Sequence, residues 1–207
     1  MAIELDSELA AGLRSRWAGN SRIEIVDGDA AAMDLTVCGD GILAGNLPYY
    51  VATSIISSYL RRPGGLRQGT FLIQEEVAAR ITARPGTREY GYLSVECQFL
   101  GRPEYLFGVA PGAFQPPPKV DSAVIRISPR LRDDGVDAEA FLRFVSACFR
   151  QKRKTLRNNL SAVFPREVVD SQAGLSRRGE ELSVQEFLEL YRTLNAQHRR
   201  YDAHVTD

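Results

Sequence analysis

The chain has 207 residues, 44% of them hydrophobic and 25% charged, with 26 Lys+Arg against 26 Asp+Glu, which is enough apolar material for a real core and excludes disorder and collagen. Cys38, Cys97 and Cys148 are odd in number and far apart, so neither a zinc spacing nor a disulfide framework is present, and a reducing cytoplasm is expected, with no metal. The start, Met1-Ala2-Ile3-Glu4-Leu5-Asp6, is acidic where an export signal is basic, and the most apolar run, residues 49–60, falls short of the roughly 20 residues that span a bilayer.

Strands alternate with helical patterns over the first two thirds, the signature of an α/β sheet with crossover helices. Met1 to Leu5 reads as the end of a strand, Ser7 as the cap of a helix running to Trp17, and Arg22 to Val26 as a short strand ending at Asp27-Gly28-Asp29. Gly41 to Gly45 is the next strand. Asn46-Leu47-Pro48-Tyr49-Tyr50 closes it, because Pro48 forces Leu47 out of helical geometry and leaves a loop at the strand's carboxyl end. A helix from Val51 to Leu60, a break at Pro63-Gly64-Gly65, a strand over 70–74 and helices over 75–83 and 92–100 follow. The last two strands are placed at 104–109 and 122–127. Between them Pro116, Pro117 and Pro118 impose a stiff exposed connector.

After Asp134-Gly135 the pattern is helical only, which divides residues 1–132 from a small domain at 133–207. Phe141, Phe144, Val145, Cys148, Phe149, Leu156 and Leu160 form an apolar stripe at helical spacing, with Arg150, Arg153, Lys154 and Arg157 at three- and four-residue steps on another side. A final helix is expected over 184–195, then a frayed polar tail containing His198 and His204.

Charge is balanced overall and polarised along the chain. Residues 1–40 carry eight acids against three arginines, while residues 143–178 carry nine cations against Glu167 and Asp170. A basic block of that density is either a solvated face or the footprint a polyanion such as RNA needs. The glycines of Gly39-Asp40-Gly41-Ile42-Leu43-Ala44-Gly45 enter a strand rather than linking a strand to a helix, so they are no dinucleotide fingerprint. Asn46-Leu47-Pro48-Tyr49 is the sharpest feature. An Asn at a strand end can accept a hydrogen bond from an exocyclic amine, free carbonyls of the turn can accept a second, and Tyr49 offers a flat face to a flipped base.

That tetrapeptide, the run Phe114-Gln115-Pro116-Pro117-Pro118-Lys119-Val120-Asp121-Ser122-Ala123-Val124, and the run Phe149-Arg150-Gln151-Lys152-Arg153-Lys154-Thr155-Leu156-Arg157-Asn158-Asn159-Leu160 together resemble signatures of the bacterial small-subunit rRNA adenine N6,N6-dimethyltransferases, the KsgA-like enzymes. The resemblance extends from Met1 to Tyr191. It implies an α/β, Rossmann-like, class I S-adenosylmethionine-dependent methyltransferase with a C-terminal all-helical domain, acting on two adjacent adenines near the 3′ end of 16S rRNA. It also implies roles. Glu4 holds the cofactor ribose, Asp29 accepts from the cofactor adenine, and Asn46 touches cofactor and target. Leu47 and Pro48 orient the target amine by their backbone, Tyr49 and Phe114 sandwich its base, and Lys119, Arg150, Lys152, Arg153, Lys154 and Arg157 contact RNA. A monomer is expected, with the small ribosomal subunit as partner and no membrane.

One departure stands out. In nucleotide-binding sheets the ribose-gripping acid follows a glycine-rich turn by about 20 residues, and Glu4 leaves no room for it. The family's first strand and glycine loop would precede Met1, so this reading expects an N-terminally truncated chain. Its sheet would form two fragments with unpaired edges, and alone it would bind S-adenosylmethionine weakly or not at all. The competing readings are a non-catalytic rRNA-binding assembly factor and, ranked lower, a macrolide-resistance type enzyme acting on large-subunit rRNA.

Overall fold

A computed structural model of the chain describes residues 1–62 and 64–205, with side chains through Arg199. Pro63 of the expected break and residues 206–207 of the expected tail lie outside the described residues. The chain divides into two compact units, Met1–Ala78 with Leu100–Pro129, and Ala79–Phe99 with the residues from Arg130 on.

Among the described residues all six strands lie in the first unit. Parallel strands β1 (Ala2–Glu4) and β2 (Ile25–Asp27) make a two-stranded sheet, with Glu4 opposite Asp27. Strands β3 (Gly41–Asn46), β4 (Leu66–Gln74), β5 (Gly101–Val109) and β6 (Ser122–Pro129) make a second sheet in the order β3-β4-β6-β5, parallel at β3/β4 and antiparallel at β4/β6 and β6/β5. The two-fragment sheet expected from the sequence is what the backbone forms: among the described residues β1 pairs only with β2, and β3 only with β4. Among the described residues no strand pairs with the other edge of β1 or of β3.

The core of this unit follows from residue spacing. Helix α2 (Ala52–Arg61) buries Ala52, Ile55, Ile56, Tyr59 and Leu60, the i, i+3, i+4, i+7, i+8 stripe of an amphipathic helix. Phe71 and Ile73 on β4 and Ala123, Ile125 and Ile127 on β6 point inward at two-residue steps and are fully buried. Tyr59 stacks edge-on against Phe71 at 5.8 Å and its hydroxyl donates to Ile127 O at 3.2 Å, and burial pushes that phenol's pKa upward.

Several boundaries differ from the expected ones. Asp6, not Ser7, caps α1 (Ser7–Trp17), its carboxylate accepting from the N–H groups of Glu8 and Leu9 at 2.9 and 3.0 Å. The second strand starts at Ile25 because Asn20 ties Arg22 and Ile23 into a turn. Strand β4 starts at Leu66, and β5 starts at Gly101 and includes Pro103, which an edge strand tolerates.

The second unit is helical. It contains the second half of α3 (Glu75–Thr82) and most of α4 (Tyr92–Leu100), then α5 (Ala138–Cys148), α6 (Leu156–Leu160), α7 (Arg166–Asp170) and α8 (Val184–Val205). The final helix runs ten residues past the expected end because residues 196–205 contain neither glycine nor proline. His198 therefore sits on a helix, its ring edge-on to Phe164 at 5.6 Å, and His204 lies on the same helix. Phe141 is the hub of the core, with ring centroids 4.2 Å from Phe99 and 5.6 Å from Tyr191.

Tyr90 is fully buried beside Phe149, and its hydroxyl has no hydrogen-bond partner among the described residues. A desolvated, unpaired hydroxyl costs more than it returns, so Tyr90→Phe is expected to stabilise the protein by about 1 kcal/mol. Thermal denaturation checks this, and a lower Tm would show that the hydroxyl is satisfied.

Candidate active site and nucleic-acid interface

The carboxyl ends of β1, β2 and β3 border one cleft of about 690 Å³, lined among others by Glu4, Asp6, Asp29, Asn46, Leu47 and Pro48. In open α/β sheets ligands bind outside the carboxyl ends of the strands, and here that edge carries three carboxylates and an amide. Glu4 is half-buried. One of its oxygens accepts from Asp6 N–H at 3.0 Å, and the strand continues through its carbonyl, which accepts from Gly28 N–H at 2.9 Å. Asp29 opens a turn: its Oδ1 accepts from Ala31 N–H at 2.8 Å, leaving Oδ2 for another donor.

Asn46 ends β3 opposite Leu72, is exposed, and its side-chain amide has no partner among the described residues. The turn after it is fixed by two backbone bonds, Leu47 N–H to Leu72 O at 3.1 Å and Val51 N–H to Pro48 O at 3.1 Å. The second bond uses one lone pair of the Pro48 carbonyl and leaves the other. Leu47 folds back into the core beside Gly45, where a Cβ would lie 2.7 Å from Leu47 Cδ2, so any larger residue at 45 would have to displace the tip of Leu47.

Tyr49 and Phe114 are half-buried in the same unit, and neither lines the cleft. The Tyr49 hydroxyl shares a 2.7 Å hydrogen bond with Ser122 Oγ, a fully buried hydroxyl at the start of β6. That bond locks the ring. Phe114 follows a 3-10 turn over Pro111–Ala113, its N–H donating to Pro111 O at 3.1 Å, and leads into the exposed triple-proline connector. Sequence reading missed Tyr50, which lines the cleft and is 82% exposed, and missed Ser122. A lone hydroxyl at the head of the apolar run of β6 was the only signal for the latter.

In the second unit the basic residues are arranged differently from expectation. Arg150, Lys152, Arg153 and Lys154 are exposed, but they stand on a non-helical loop between α5 and α6 rather than on one helix face. The cause is Asn159, a buried amide on α6. Its Nδ2 donates to Cys148 O at 2.8 Å and Gln151 O at 3.2 Å, and its Oδ1 accepts from Gln151 N–H at 3.1 Å, which ends α5 and shapes the loop. Arg157 is paired with Asp170, and Arg177 with Glu186, whose carboxyl the Arg177 hydrogen bond holds down at about 2. Lys119 is exposed on the connector of the first unit.

The three thiols are free. Burial pushes the pKa of Cys97 and Cys148 upward, and that of Cys38 in the same direction, so none is an activated nucleophile. Among the described residues no helix is long and apolar enough to cross a membrane, and no group of His, Cys, Asp and Glu is placed to hold a metal.

Residues 1–196 match the family model described as ribosomal RNA adenine dimethylase. A protein of Acidobacterium capsulatum named ribosomal RNA small subunit methyltransferase A is 41% identical over 206 residues, spanning 94% of this chain and 73% of the relative. Its namesake from Chlorobium chlorochromatii is 39% identical over 193 residues, spanning 91% and 72%. Among solved structures, a dimethyladenosine transferase from Plasmodium falciparum superposes with a TM-score of 0.81 over 94% of this chain and 81% of that one, a likeness of fold at 22% identity. The 23S rRNA methyltransferase ErmE superposes with a TM-score of 0.68 at 25% identity, over 93% and 80%.

Proposed function

Because the chain belongs to the ribosomal RNA adenine dimethylase family, a family of S-adenosylmethionine-dependent methyltransferases, we propose that its cleft directs methyl transfer to two adjacent adenines near the 3′ end of 16S rRNA. The observation that carries this reading is the convergence of Glu4, Asp29 and Asn46 on one cleft at three strand ends. The work takes place on the small subunit during its assembly in the cytoplasm.

The donor set suits the cofactor. In this reading the second oxygen of Glu4 accepts from a ribose hydroxyl and Asp29 Oδ2 from an adenine amine, while Leu35, Ile55 and Phe71 give the same cleft an apolar wall. When bound, the cofactor supplies an electrophilic methyl group on a positively charged sulfur. The chain's own task is positioning. An adenine amine is a poor nucleophile because its lone pair is delocalised into the ring. Asn46 Oδ1 accepts one amine hydrogen and a carbonyl of the Leu47-Pro48 turn accepts the other, which favours a pyramidal nitrogen with its lone pair aimed one way. Tyr49, held by Ser122, and Phe114 stand outside the cleft, so they stack on the part of the base that extends beyond it, each contact worth roughly 1–3 kcal/mol. The surplus proton leaves after transfer, so no histidine is required. Arg150, Lys152, Arg153 and Lys154 bind RNA phosphates, with Lys119 adding one contact on the first unit and Arg157 a contact shared with Asp170.

A second reading, a non-catalytic rRNA-binding factor, is favoured by the two-piece sheet. Transfer of label from methyl-labelled cofactor to immature small subunits separates the two: the enzyme incorporates label, and a binder shows only salt-dependent association. The open edges of β1 and β3 also set an affinity. A cleft wall with unpaired backbone groups holds its ligand poorly, so titration calorimetry on this chain is expected to give cofactor binding weaker than micromolar. Micromolar binding would refute that expectation.

A further inference from the structure

The loop Arg84-Pro85-Gly86-Thr87-Arg88-Glu89 lies 60 residues before the basic loop 150–154 and outside the segment that charge patterning marks as basic, yet it belongs to the same compact unit. The two loops are joined. Lys152 Nζ donates to the backbone carbonyl of Arg88 at 2.8 Å, and the ring of Tyr90, just beyond Glu89, packs edge-on against Phe149 at 6.4 Å, just before Arg150. Resting on the RNA-binding reading above, we infer that these loops form one composite phosphate-binding surface in which Arg84 and Arg88 contact RNA alongside Arg150, Arg153 and Lys154.

Three observations carry this. First, the cations are uncommitted: Arg84, Arg88, Arg150, Arg153 and Lys154 are exposed and make no ion pair among the described residues, whereas the neighbouring Arg177 and Arg178 are paired with Glu186 and Glu180. Glu89 is the sole acid in either loop. Second, both loops are built rigid although neither is regular. Thr87 donates to Arg84 O through its N–H at 3.2 Å and its Oγ1 at 2.7 Å, Gly86 N–H donates to Glu180 O at 2.7 Å, and Gly86 adopts a φ of 83° that favours glycine. Asn159 fixes the other loop with its three bonds. Arginines on a fixed backbone lose less entropy on binding than arginines on a mobile one. Third, the surface has the wrong composition for a lipid headgroup layer. Neither loop carries an aromatic or large aliphatic side chain to enter the acyl boundary, so fixed phosphates of an RNA backbone suit it and a membrane does not.

The test is the salt dependence of full-chain binding to a duplex RNA hairpin, followed by fluorescence anisotropy. The double variant Arg84→Gln/Arg88→Gln is expected to bind more weakly, with the slope of log K against log salt reduced by up to about 2, or about 1 per lost phosphate contact. Arg84→Lys/Arg88→Lys, which keeps the charges, is expected to restore the slope. Arg16→Gln/Arg102→Gln, an equal loss of charge in the first unit, is expected to leave it unchanged. Lys152 grips the backbone of Arg88, so these side-chain changes spare the tether, and unchanged thermal melting confirms it.

Wild-type slope and affinity in Arg84→Gln/Arg88→Gln would overturn the inference while leaving RNA binding intact. Equal losses in the Arg16/Arg102 control would overturn it as an effect of overall charge. Equally strong, Arg84- and Arg88-dependent binding to phosphatidylglycerol vesicles would overturn it in favour of a membrane. A wild-type chain with no salt-dependent association would overturn it together with the reading on which it rests.

Discussion

Replacing Asn46 by Ala is expected to lower methyl transfer by about two to three orders of magnitude, the usual effect of deleting one well-placed polar group from a reacting centre. The reason lies in what the side chain does not do. Asn46 is exposed at the end of β3 and its amide has no partner among the described residues, so its removal orphans none of them and leaves no cavity. Stability is therefore expected to stay within about 0.5 kcal/mol of wild type. RNA association, which in the proposed reading rests mainly on the cations of the second unit, is expected to change little. Measuring transfer, melting temperature and RNA affinity on the same preparation separates these effects. A variant that loses activity only because it unfolds would contradict the assignment.

Replacing Phe141 by Ala has the opposite profile. Its side chain is fully buried and joins α4 to α8 through Phe99 and Tyr191, and truncating such a ring costs about 3–5 kcal/mol. Domain stabilities are about 5–15 kcal/mol, so most of the reserve is removed. The loop 149–155 follows directly from α5, and its cations lose their fixed arrangement as that helix opens. Urea unfolding is expected to show a midpoint well below wild type, with RNA binding lost in parallel. A shift below 1 kcal/mol would mean that the aromatic cluster repacks around the gap.

Local patterns made much of the fold legible. The strand-end loop Asn46–Tyr50, the amphipathic stripe of α2 and the alternation of β6 are each set by neighbours a few residues away, and the structure has them within a residue or two. Where the determinants lie far apart in the chain, sequence patterning misleads. The spacing of Phe141 to Leu160 reads as one continuous helix because Phe149 and Leu156 keep its rhythm, but Asn159 captures backbone groups 8 and 11 residues back and folds the basic run into a loop. The hydrogen bond between Tyr49 and Ser122 spans 73 residues, and the tether between Lys152 and Arg88 spans 64. Neither has a periodicity to announce it. The same holds for the site. Glu4, Asp29 and Asn46 come together because parallel strands bring their carboxyl ends to one edge, a consequence of topology that strand-end positions already carry. The expected base sandwich is less direct. Tyr49 turns its hydroxyl toward β6, and Tyr50 is the tyrosine that lines the cleft.

The identity of the modified base tests the central claim most directly. Immature small subunits incubated with this chain at saturating S-adenosylmethionine, then digested to nucleosides and weighed by mass spectrometry, are expected to yield N6,N6-dimethyladenosine with the wild-type chain and none with Asn46→Ala. Dimethyladenosine formed equally by Asn46→Ala, or a methyl group carried on any base other than adenine, would contradict the account.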